Sequence, residues 1–302
     1  MINTIFLGSN WQSVKILESI IKDGRFNIQA CITQPDKPVG RKQVLTPTEL
    51  KQYCIDNSIE VLHTENSKDK YREILDRYNP ELIVCIAFGE IIPEFFLEEP
   101  KYKAINIHFS ILPKYRGAVP IQMAILKGEK ETGITVTRMI DKLDAGPILK
   151  IYKTNINDND TNQTLRERLV EMSCNVLPND LFDWCNGNLK EYEQDNSLAT
   201  FCFKADISKD NAIVDFRNDD PIEIDRKIRA YIPWPLTWFM YNDKRIIIHN
   251  AKLVHGITLN PGEMKKIQSQ LFIGTKESNT VFELIDIQQE GKTVIKGKEF
   301  QI

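Results

Sequence analysis

Residues 104–149 read AINIHFSILPKYRGAVPIQMAILKGEKETGITVTRMIDKLDAGPIL and hold two apolar, β-like runs. Asn106 and His108 are two positions apart at the end of the first run, so on a strand their side chains point to the same face. Asp144 follows the second run, residues 134–139, in a loop rich in turn-forming residues. If the two strands are neighbours, an amide, an imidazole and a carboxylate converge. That set suits the attack of a nucleophile on a carbonyl group.

Taken singly, Asn106, His108 and Asp144 do not indicate a function. An Asn-x-His pair on a strand is usually structural, and an Asp in such a turn often serves only the turn. The segments around them carry more information, because they stand in a fixed order: Ser110-Ile-Leu-Pro113, Tyr115-Arg-Gly117 with Pro120, Gly128, Glu131-Thr-Gly133 and Asp144-Ala-Gly146. This order resembles the folate-dependent formyltransferases, which share an Asn, a His and an Asp at these places. The resemblance implies that Asn106, His108 and Asp144 are catalytic.

Three further segments narrow the resemblance to the branch of that family that formylates methionyl-tRNA. They are Thr33-Gln-Pro-Asp-Lys-Pro-Val-Gly-Arg41 running on to Leu45-Thr-Pro47, Val84-Cys-Ile-Ala-Phe-Gly89 with Ile92-Pro93, and Ile228-Arg-Ala230 with Pro233-Trp-Pro235. With the central block they cover nearly the whole chain. The implied reaction moves the formyl group of 10-formyltetrahydrofolate, the co-substrate, to the free α-amino group of methionyl-initiator tRNA.

Strand-like and helix-like segments alternate through the first half of the chain, which predicts βαβ units on a parallel sheet. A long helical stretch over 161–184 contains Pro178, which could kink or divide it, and a polar segment follows. From about Lys204, short strands separated by turns predict a small barrel. The predicted fold class is α/β, with a Rossmann-like parallel-sheet formyltransferase domain over 1–188, a linker over 189–203 and an OB-like β-barrel domain over 204–302.

The resemblance also places the pterin of the folate between two loops, 88–93 and 138–144, with contacts made largely by the backbone. The segment 110–113 would line the wall of the site near the reactive centre. The implied folate-binding residues are Phe88, Gly89, Ile91, Ile92, Ser110, Leu112, Pro113, Arg138, Ile140 and Asp141. The sequence leaves open which member of the trio accepts a proton and which stabilises charge.

A net charge of -3 and a pI near 5.9 mean that the chain is not a globally basic nucleic-acid binder. Affinity for tRNA must then come from local basic groups. The segment 34–45 is expected to be a loop without secondary structure, and it carries Lys37, Arg41 and Lys42. The resemblance implies that these residues, together with Arg116, contact the tRNA.

Several other cofactors and locations are not expected. The first strand is followed by Gly8-Ser-Asn, without the further glycines of a dinucleotide-binding turn, and no phosphate-binding P-loop motif occurs, so neither NAD nor ATP is predicted. The six cysteines are dispersed without metal-ligand spacing, so no metal is predicted, and Cys31 and Cys85 are expected to be buried thiols. No apolar run is long enough to span a bilayer. We therefore expect a cytoplasmic enzyme, with no membrane and no obligate protein partner implied.

The sequence leaves two rival functions open. Related enzymes formylate an amino sugar carried by a nucleotide and share the Asn, His and Asp, although they generally lack the Gln-Pro-Asp loop in this form. A degenerate relative could instead bind RNA without chemistry. The filled catalytic positions argue against that second rival.

Overall fold

The computed structural model of the chain describes residues 1–40 and 42–302. The α-helices are α1 Trp11–Asp23, α2 Glu49–Asp56, α3 Lys68–Tyr78, α4 Glu94–Glu98, α5 Pro120–Leu126, α6 Asn162–Cys185 and α7 Pro221–Ala230. The strands up to residue 155 are β1 Ile2–Gly8, β2 Phe26–Ile32, β3 Lys37–Val39, β4 Val44–Thr46, β5 Val61–Leu62, β6 Leu82–Ile86, β7 Ala104–His108, β8 Arg116–Gly117, β9 Glu131–Arg138 and β10 Ile148–Asn155. The later strands are β11 Phe201–Cys202, β12 Thr237–Tyr241, β13 Lys244–His255, β14 Met264–Ile267, β15 Gln270–Gly274, β16 Thr280–Gln289 and β17 Ile295–Lys296.

The N-terminal sheet has seven strands in the order β10-β9-β7-β6-β1-β2-β5. Strand β1 pairs in parallel with β2 and β6, and β6 pairs in parallel with β7, as βαβ alternation predicts. Strand β9 pairs with β7 in the antiparallel sense. The two β-like runs of the sequence, around Asn106 and before Asp144, are therefore neighbours, which is the condition that the convergence of the three side chains required.

Local sequence explains how the first helix is set against this sheet. Asn10 caps α1 by accepting a hydrogen bond from the Ser13 amide, and the Ser13 side chain bonds back to the Asn10 backbone. The helix ends at Gly24, which has a φ of 79° that glycine adopts without steric cost. Ile16, Leu17 and Ile20 lie on one face of the helix and are buried.

Apolar strands and the helices beside them form the core of the sheet. Ile5, Leu7 and Ile83 are fully buried in one cluster that also contains Tyr71 and Phe96. The rings of Tyr71 and Phe96 meet edge to face, with their centroids 4.8 Å apart. Because β6 is buried along its whole length, it reads in the sequence as the uninterrupted apolar run that a covered strand requires.

The C-terminal strands form an antiparallel sheet in the order β12-β13-β16-β15-β14, and β17 pairs with β16. A separate apolar cluster fills its interior. That cluster includes Phe216, Phe239 and Phe282, with the Phe216 ring edge-on to both of the other rings. The predicted fold class, α/β followed by a β domain with its own core, is confirmed.

Two compact units divide the chain differently from the contiguous domains that we predicted. One unit comprises residues 1–116, 133–153 and 167–201, and the other comprises 117–132, 154–166 and 202–302. The boundaries 1–188, 189–203 and 204–302 stay a prediction.

Two local expectations need correction. The segment 34–45 is not devoid of secondary structure, because Lys37–Val39 pairs antiparallel with Val44–Thr46 in a hairpin. Its turn includes Gly40 and Gln43, both at positive φ, and the Gln43 amide donates to the Gly40 carbonyl. Pro178 does not divide the long helix, since α6 runs from Asn162 to Cys185 with the proline inside it.

Candidate active site

Strands β7 and β9 position the first two members of the predicted trio. Their register places Asn106 opposite Thr137 and His108 opposite Thr135. Directly opposed residues on antiparallel strands share a face of the sheet, and so do positions two apart on one strand. The Asn106 and His108 side chains therefore project together from the same face.

The ring of His108 is buried, and each of its two nitrogens faces an oxygen atom. Its Nε2 lies 2.8 Å from the backbone carbonyl oxygen of Tyr115. A carbonyl oxygen only accepts, so Nε2 carries a proton and donates it. Nδ1 lies 3.6 Å from Oδ2 of Asp144. Nδ1 is consequently the ring nitrogen that can gain or lose a proton at the site.

The turn after His108 is fixed by hydroxyl groups. Thr135 Oγ1 donates to the Ser110 carbonyl at 2.6 Å and accepts from the Leu112 amide at 3.1 Å. Ser110 Oγ donates to the Lys114 carbonyl at 2.6 Å. These bonds set the path of the chain to Tyr115, whose carbonyl then orients the imidazole.

The loop between β9 and β10, residues 139–147, brings Asp144 close to His108. Asp144 has a φ of 46°, in the left-handed region that Asp tolerates better than most residues. Gly146 is required at its position, because an added Cβ would lie 1.9 Å from the Arg138 carbonyl oxygen. The loop therefore closes tightly on the end of β9, and this closure directs the Asp144 carboxylate towards His108.

Cys85 lies on β6 beside this site, paired in register with Asn106. Burial raises the pKa of its thiol to about 12, and the negative charge of Asp144 adds to the effect. The thiol is therefore neutral at physiological pH and is not a nucleophile. Both Cys31 and Cys85 are buried, as expected.

The residues predicted to bind folate divide into an inner and an outer group. Phe88, Ile92, Ser110 and Leu112 are buried, while Ile91 is 88% exposed and Asp141 is exposed. Gly89, Pro113 and Ile140 lie in the loops, with Gly89 at a φ of 86°, and Arg138 is the last residue of β9. The Arg138 guanidinium is held by Glu98 at 2.9 Å and Glu191 at 2.6 Å. The role of the ten predicted residues in folate binding stays a prediction.

The residues predicted to bind tRNA are not all placed alike. Lys37 and Lys42 are exposed on the hairpin, and Arg41 lies outside the described residues. Arg116 is only 5% exposed, and its guanidinium donates to Gln194 and Asn196. An exposed phosphate contact at Arg116 does not fit this placement.

Three residues that hold the site were missed from the sequence: Thr135, Tyr115 and Gln194. Tyr115 acts through its backbone carbonyl, so its side-chain type carries no signal. Thr135 lies opposite His108 because β9 runs antiparallel to β7, a direction that the apolar pattern of the sequence does not specify. Gln194 offers no local signal, because its partners are about 50 and 80 positions away in sequence.

Sequence comparisons with known proteins cover nearly the whole chain. The formyl transferase family matches residues 2–181, and the formyl transferase C-terminal domain matches residues 206–301. A methionyl-tRNA formyltransferase from Halalkalibacterium halodurans is 38% identical over 298 residues, which cover 98% of this chain and 93% of the relative. One from Bacillus subtilis is 32% identical over 303 residues, covering 99% and 94%. The chain belongs to the methionyl-tRNA formyltransferase family.

Family membership confirms the resemblance on which the catalytic assignment depends. Solved structures at lower identity share the fold. An N-formyltransferase from Helicobacter canadensis, in complex with folinic acid and dTDP-3-aminofucose, is 22% identical with a TM-score of 0.69, covering 96% of this chain and 100% of its own. A sugar 3N-formyltransferase in the presence of dTDP and 5-N-formyl-THF is 21% identical with a TM-score of 0.68, covering 97% and 99%.

Among residues 1–40 and 42–302, no group of three or more His, Cys, Asp and Glu side chains is arranged to hold a metal ion. Within the same ranges, no helix combines the length and apolar character needed to cross a bilayer.

Proposed function

We propose that this protein transfers the formyl group of 10-formyltetrahydrofolate to the free α-amino group of methionyl-initiator tRNA. The observation that carries the proposal is the full-length likeness to methionyl-tRNA formyltransferases, at 30–38% identity, combined with a His108–Asp144 pair on the face that Asn106 shares. The expected cytoplasmic location follows from a function in translation initiation and stays a prediction.

The acceptor must attack as a neutral amine. A free α-amine has a pKa of about 7.7–8.0, so an appreciable fraction is neutral near pH 7. Attack on the formyl carbon forms a C–N bond and converts the carbonyl to a tetrahedral oxyanion. The Asn106 amide is half-buried on the catalytic face and can donate a hydrogen bond to that oxyanion.

The proton balance of the reaction assigns a role to His108. The attacking nitrogen becomes cationic and must lose a proton, and N10 of the folate must gain one before the C–N10 bond breaks. Since Nε2 is held by the Tyr115 carbonyl, the neutral ring offers its lone pair at Nδ1. Nδ1 can take the proton from the amine and return it to N10, giving a formamide and tetrahydrofolate.

Asp144 then acts electrostatically. Its carboxylate lies 3.6 Å from Nδ1, which is within ion-pair range but longer than a direct hydrogen bond. When His108 is transiently cationic, this negative charge stabilises it without removing the proton. The charge also favours one orientation of the ring, with Nε2 towards Tyr115.

The two loops suit a flat, partly apolar folate. Ile91 and Leu143, one on each loop, expose their side chains to solvent, and such surfaces favour contact with an aromatic ring system. The buried side chains of Phe88 and Ile92 anchor the first loop, residues 88–93. Ser9 Oγ also donates to the Phe88 carbonyl at 3.3 Å. The loop is thus held in place while its Ile91 side chain stays exposed.

The hairpin supports a tRNA acceptor. Lys37 and Lys42 are exposed, as are the apolar side chains of Val39, Val44 and Leu45. Exposed lysines can neutralise phosphates, and the counterions that the tRNA then releases make binding salt-dependent. A nucleotide-linked amino sugar, the alternative acceptor, has no long phosphate backbone and would not require this hairpin.

The test is a direct comparison of acceptors. Purified protein is given 10-formyltetrahydrofolate with methionyl-initiator tRNA, uncharged initiator tRNA or a dTDP-amino sugar. We expect formylation of the methionyl-tRNA alone. Turnover of the amino sugar with none of the methionyl-tRNA would establish the alternative function instead.

A further inference from the structure

The segment from Glu191 to Asn196 lies along the loop that carries Asp144. We call this segment the strap. It is polar and mostly exposed, and Gln194 is its one buried side chain, at 6% exposure. A buried amide in an exposed polar segment needs partners to offset its desolvation. Those partners determine what the segment does.

The strap contacts both ends of the 139–147 loop. Glu191 binds the Arg138 guanidinium at the end of β9, at 2.6 Å and 3.2 Å. Tyr192 exchanges two backbone hydrogen bonds with Ile148 at the start of β10, at 2.8 Å and 3.0 Å. The loop is therefore held where it leaves one strand and where it enters the next.

Gln194 holds the middle of the same loop. Its Nε2 donates to the Asp144 carbonyl at 2.9 Å and to the Gly146 carbonyl at 2.7 Å. Its Oε1 accepts from Arg116 Nε at 3.1 Å and Nη2 at 2.7 Å. A side-chain amide has two donor hydrogens and two acceptor sites, and all four are used. Arginine only donates and carbonyls only accept, so the amide can adopt one orientation only.

We propose that Gln194, set in place by Arg116, is a positioning residue that holds the Asp144 carboxylate in register with His108 for the formyl transfer. The proposal rests on the function proposed above. Gln194 touches only the backbone of the loop and no reacting group. It acts through Asp144, which has a left-handed φ of 46° and whose carbonyl oxygen accepts the bond from Gln194. A displacement of about 1 Å at a reacting group can lower turnover by roughly 100-fold.

Gln194→Glu separates positioning from a merely structural role. The carboxylate keeps its acceptors for Arg116 but has no N–H to give to the Asp144 and Gly146 carbonyls, which it repels. We expect kcat to fall at least 10-fold, with the KM values for Met-tRNA and folate changed less than twofold. Gln52→Glu, the same charge change on the exposed surface of α2, is the matched control. A wild-type kcat for Gln194→Glu would overturn the proposal.

A double-mutant comparison tests whether Gln194 acts through Asp144. In an Asp144→Asn background the carboxylate is already absent, so adding Gln194→Glu should lower kcat by less than twofold more. A second decrease as large as in the wild-type background would also overturn the proposal, because Gln194 would then act by another route.

Hydrogen exchange provides a readout that does not depend on the acceptor. We expect faster amide exchange at 139–147 in Gln194→Glu than in wild type, with the strands of the sheet unchanged. Unchanged exchange in that loop would contradict the positioning role. If wild type formylates no tRNA but the loop loses protection in the variant, the proposed function fails and the positioning role stands.

Discussion

Nδ1 of His108 and Oδ2 of Asp144 lie 3.6 Å apart, so they form an ion pair when the ring is charged but no direct hydrogen bond. The carboxylate is thus placed to stabilise a transient imidazolium while leaving Nδ1 accessible to a substrate proton. Two consequences follow. On the proposed mechanism the charge of Asp144 should matter more than its ability to accept a hydrogen bond, and the loop that holds Asp144 should matter as much as the residue itself.

Replacing the side chains proposed to be catalytic should abolish most turnover without unfolding the protein. We expect Asn106→Ala, His108→Ala and Asp144→Ala each to raise the barrier by about 3 kcal/mol or more, near the usual cost of removing one charge-stabilising group. The combined variants should lose less than the sum, because the groups act in one step. Single-turnover formylation measures this effect, and His249→Ala, in the C-terminal sheet, is the control. Near-normal turnover would remove that residue from the mechanism.

Asp144→Asn tests charge separately from shape. The amide fills nearly the same volume, so the loop should keep its path. We expect a decrease in turnover close to that of Asp144→Ala, because both variants remove the negative charge facing Nδ1. Activity near wild type for Asp144→Asn would show that Asp144 serves only as a hydrogen-bonding or packing group.

Gly146→Ala should damage the loop. Its Cβ would lie 1.9 Å from the Arg138 carbonyl oxygen, so the loop or the end of β9 must shift. We expect a large fall in kcat and a lower melting temperature. Gly187→Ala is the control: it has a φ of 74° but no atom within 4 Å of the added Cβ, so it costs only about 1–2 kcal/mol of backbone strain. Equal decreases in activity in the two variants would argue against a specific closure at Gly146.

Cys85 gives a prediction for alkaline pH. Its pKa is raised in the folded protein, from an ordinary value of 9.0 to about 12, chiefly by burial. Below about pH 9 the thiol is neutral in both states and has no effect on the pH dependence. Above it the unfolded thiol ionises first, so the free energy of unfolding falls by about 1.4 kcal/mol per pH unit for this group.

Urea unfolding of wild type and Cys85→Ala at pH 8.5 and pH 10 measures that effect. We expect the stability difference between the two proteins to shift in favour of the variant at the higher pH. A difference that stays constant between the two pH values would show that the thiol is not buried in a neutral form. The smaller side chain of Cys85→Ala lowers the free energy of unfolding by the same amount at both pH values. This loss therefore cancels when the differences at the two pH values are compared.

The hairpin lysines should control tRNA affinity and its salt dependence. We expect Lys37→Ala and Lys42→Ala to raise KM for Met-tRNA and to lower the slope of log affinity against log salt by about 0.7–0.9 for each phosphate that is no longer neutralised. The KM for folate should stay unchanged. Arg41→Ala is expected to act in the same way, and Lys22→Ala, at the exposed end of α1, is the control. Unchanged tRNA kinetics in both lysine variants would show that the tRNA does not bind at this hairpin.

The shared face of Asn106 and His108 could be predicted because its signal is local, whereas the catalytic roles of Asn106, His108 and Asp144 came from the family resemblance and stay a prediction. Asn106 and His108 share a strand, and strand alternation alone places them on one face. The pairing of β7 with β9 was only assumed from the two apolar runs, because β8 and α5 lie between them in the chain. The antiparallel direction of β9 did not follow, since runs of buried residues look alike in both directions.

What the sequence could not predict depends on long-range contacts. Arg116 reads as a surface cation because arginine is mostly exposed, yet it is buried by hydrogen bonds to residues 78 and 80 positions away. The sequence of the strap is polar and therefore indicates a linker, although the Gln194 side chain forms hydrogen bonds with the loop that carries Asp144. Backbone acceptors such as the Tyr115 carbonyl carry no residue-type signal at all.

The identity of the acceptor decides the central claim. The direct measurement is the rate of formyl transfer from 10-formyltetrahydrofolate to methionyl-initiator tRNA, beside a dTDP-amino sugar at matched concentration and with His108→Ala as the inactive control. We predict formylmethionyl-tRNA as the product, its formation abolished in His108→Ala, and no formylated sugar. Formylated sugar without formylmethionyl-tRNA would contradict the proposed function.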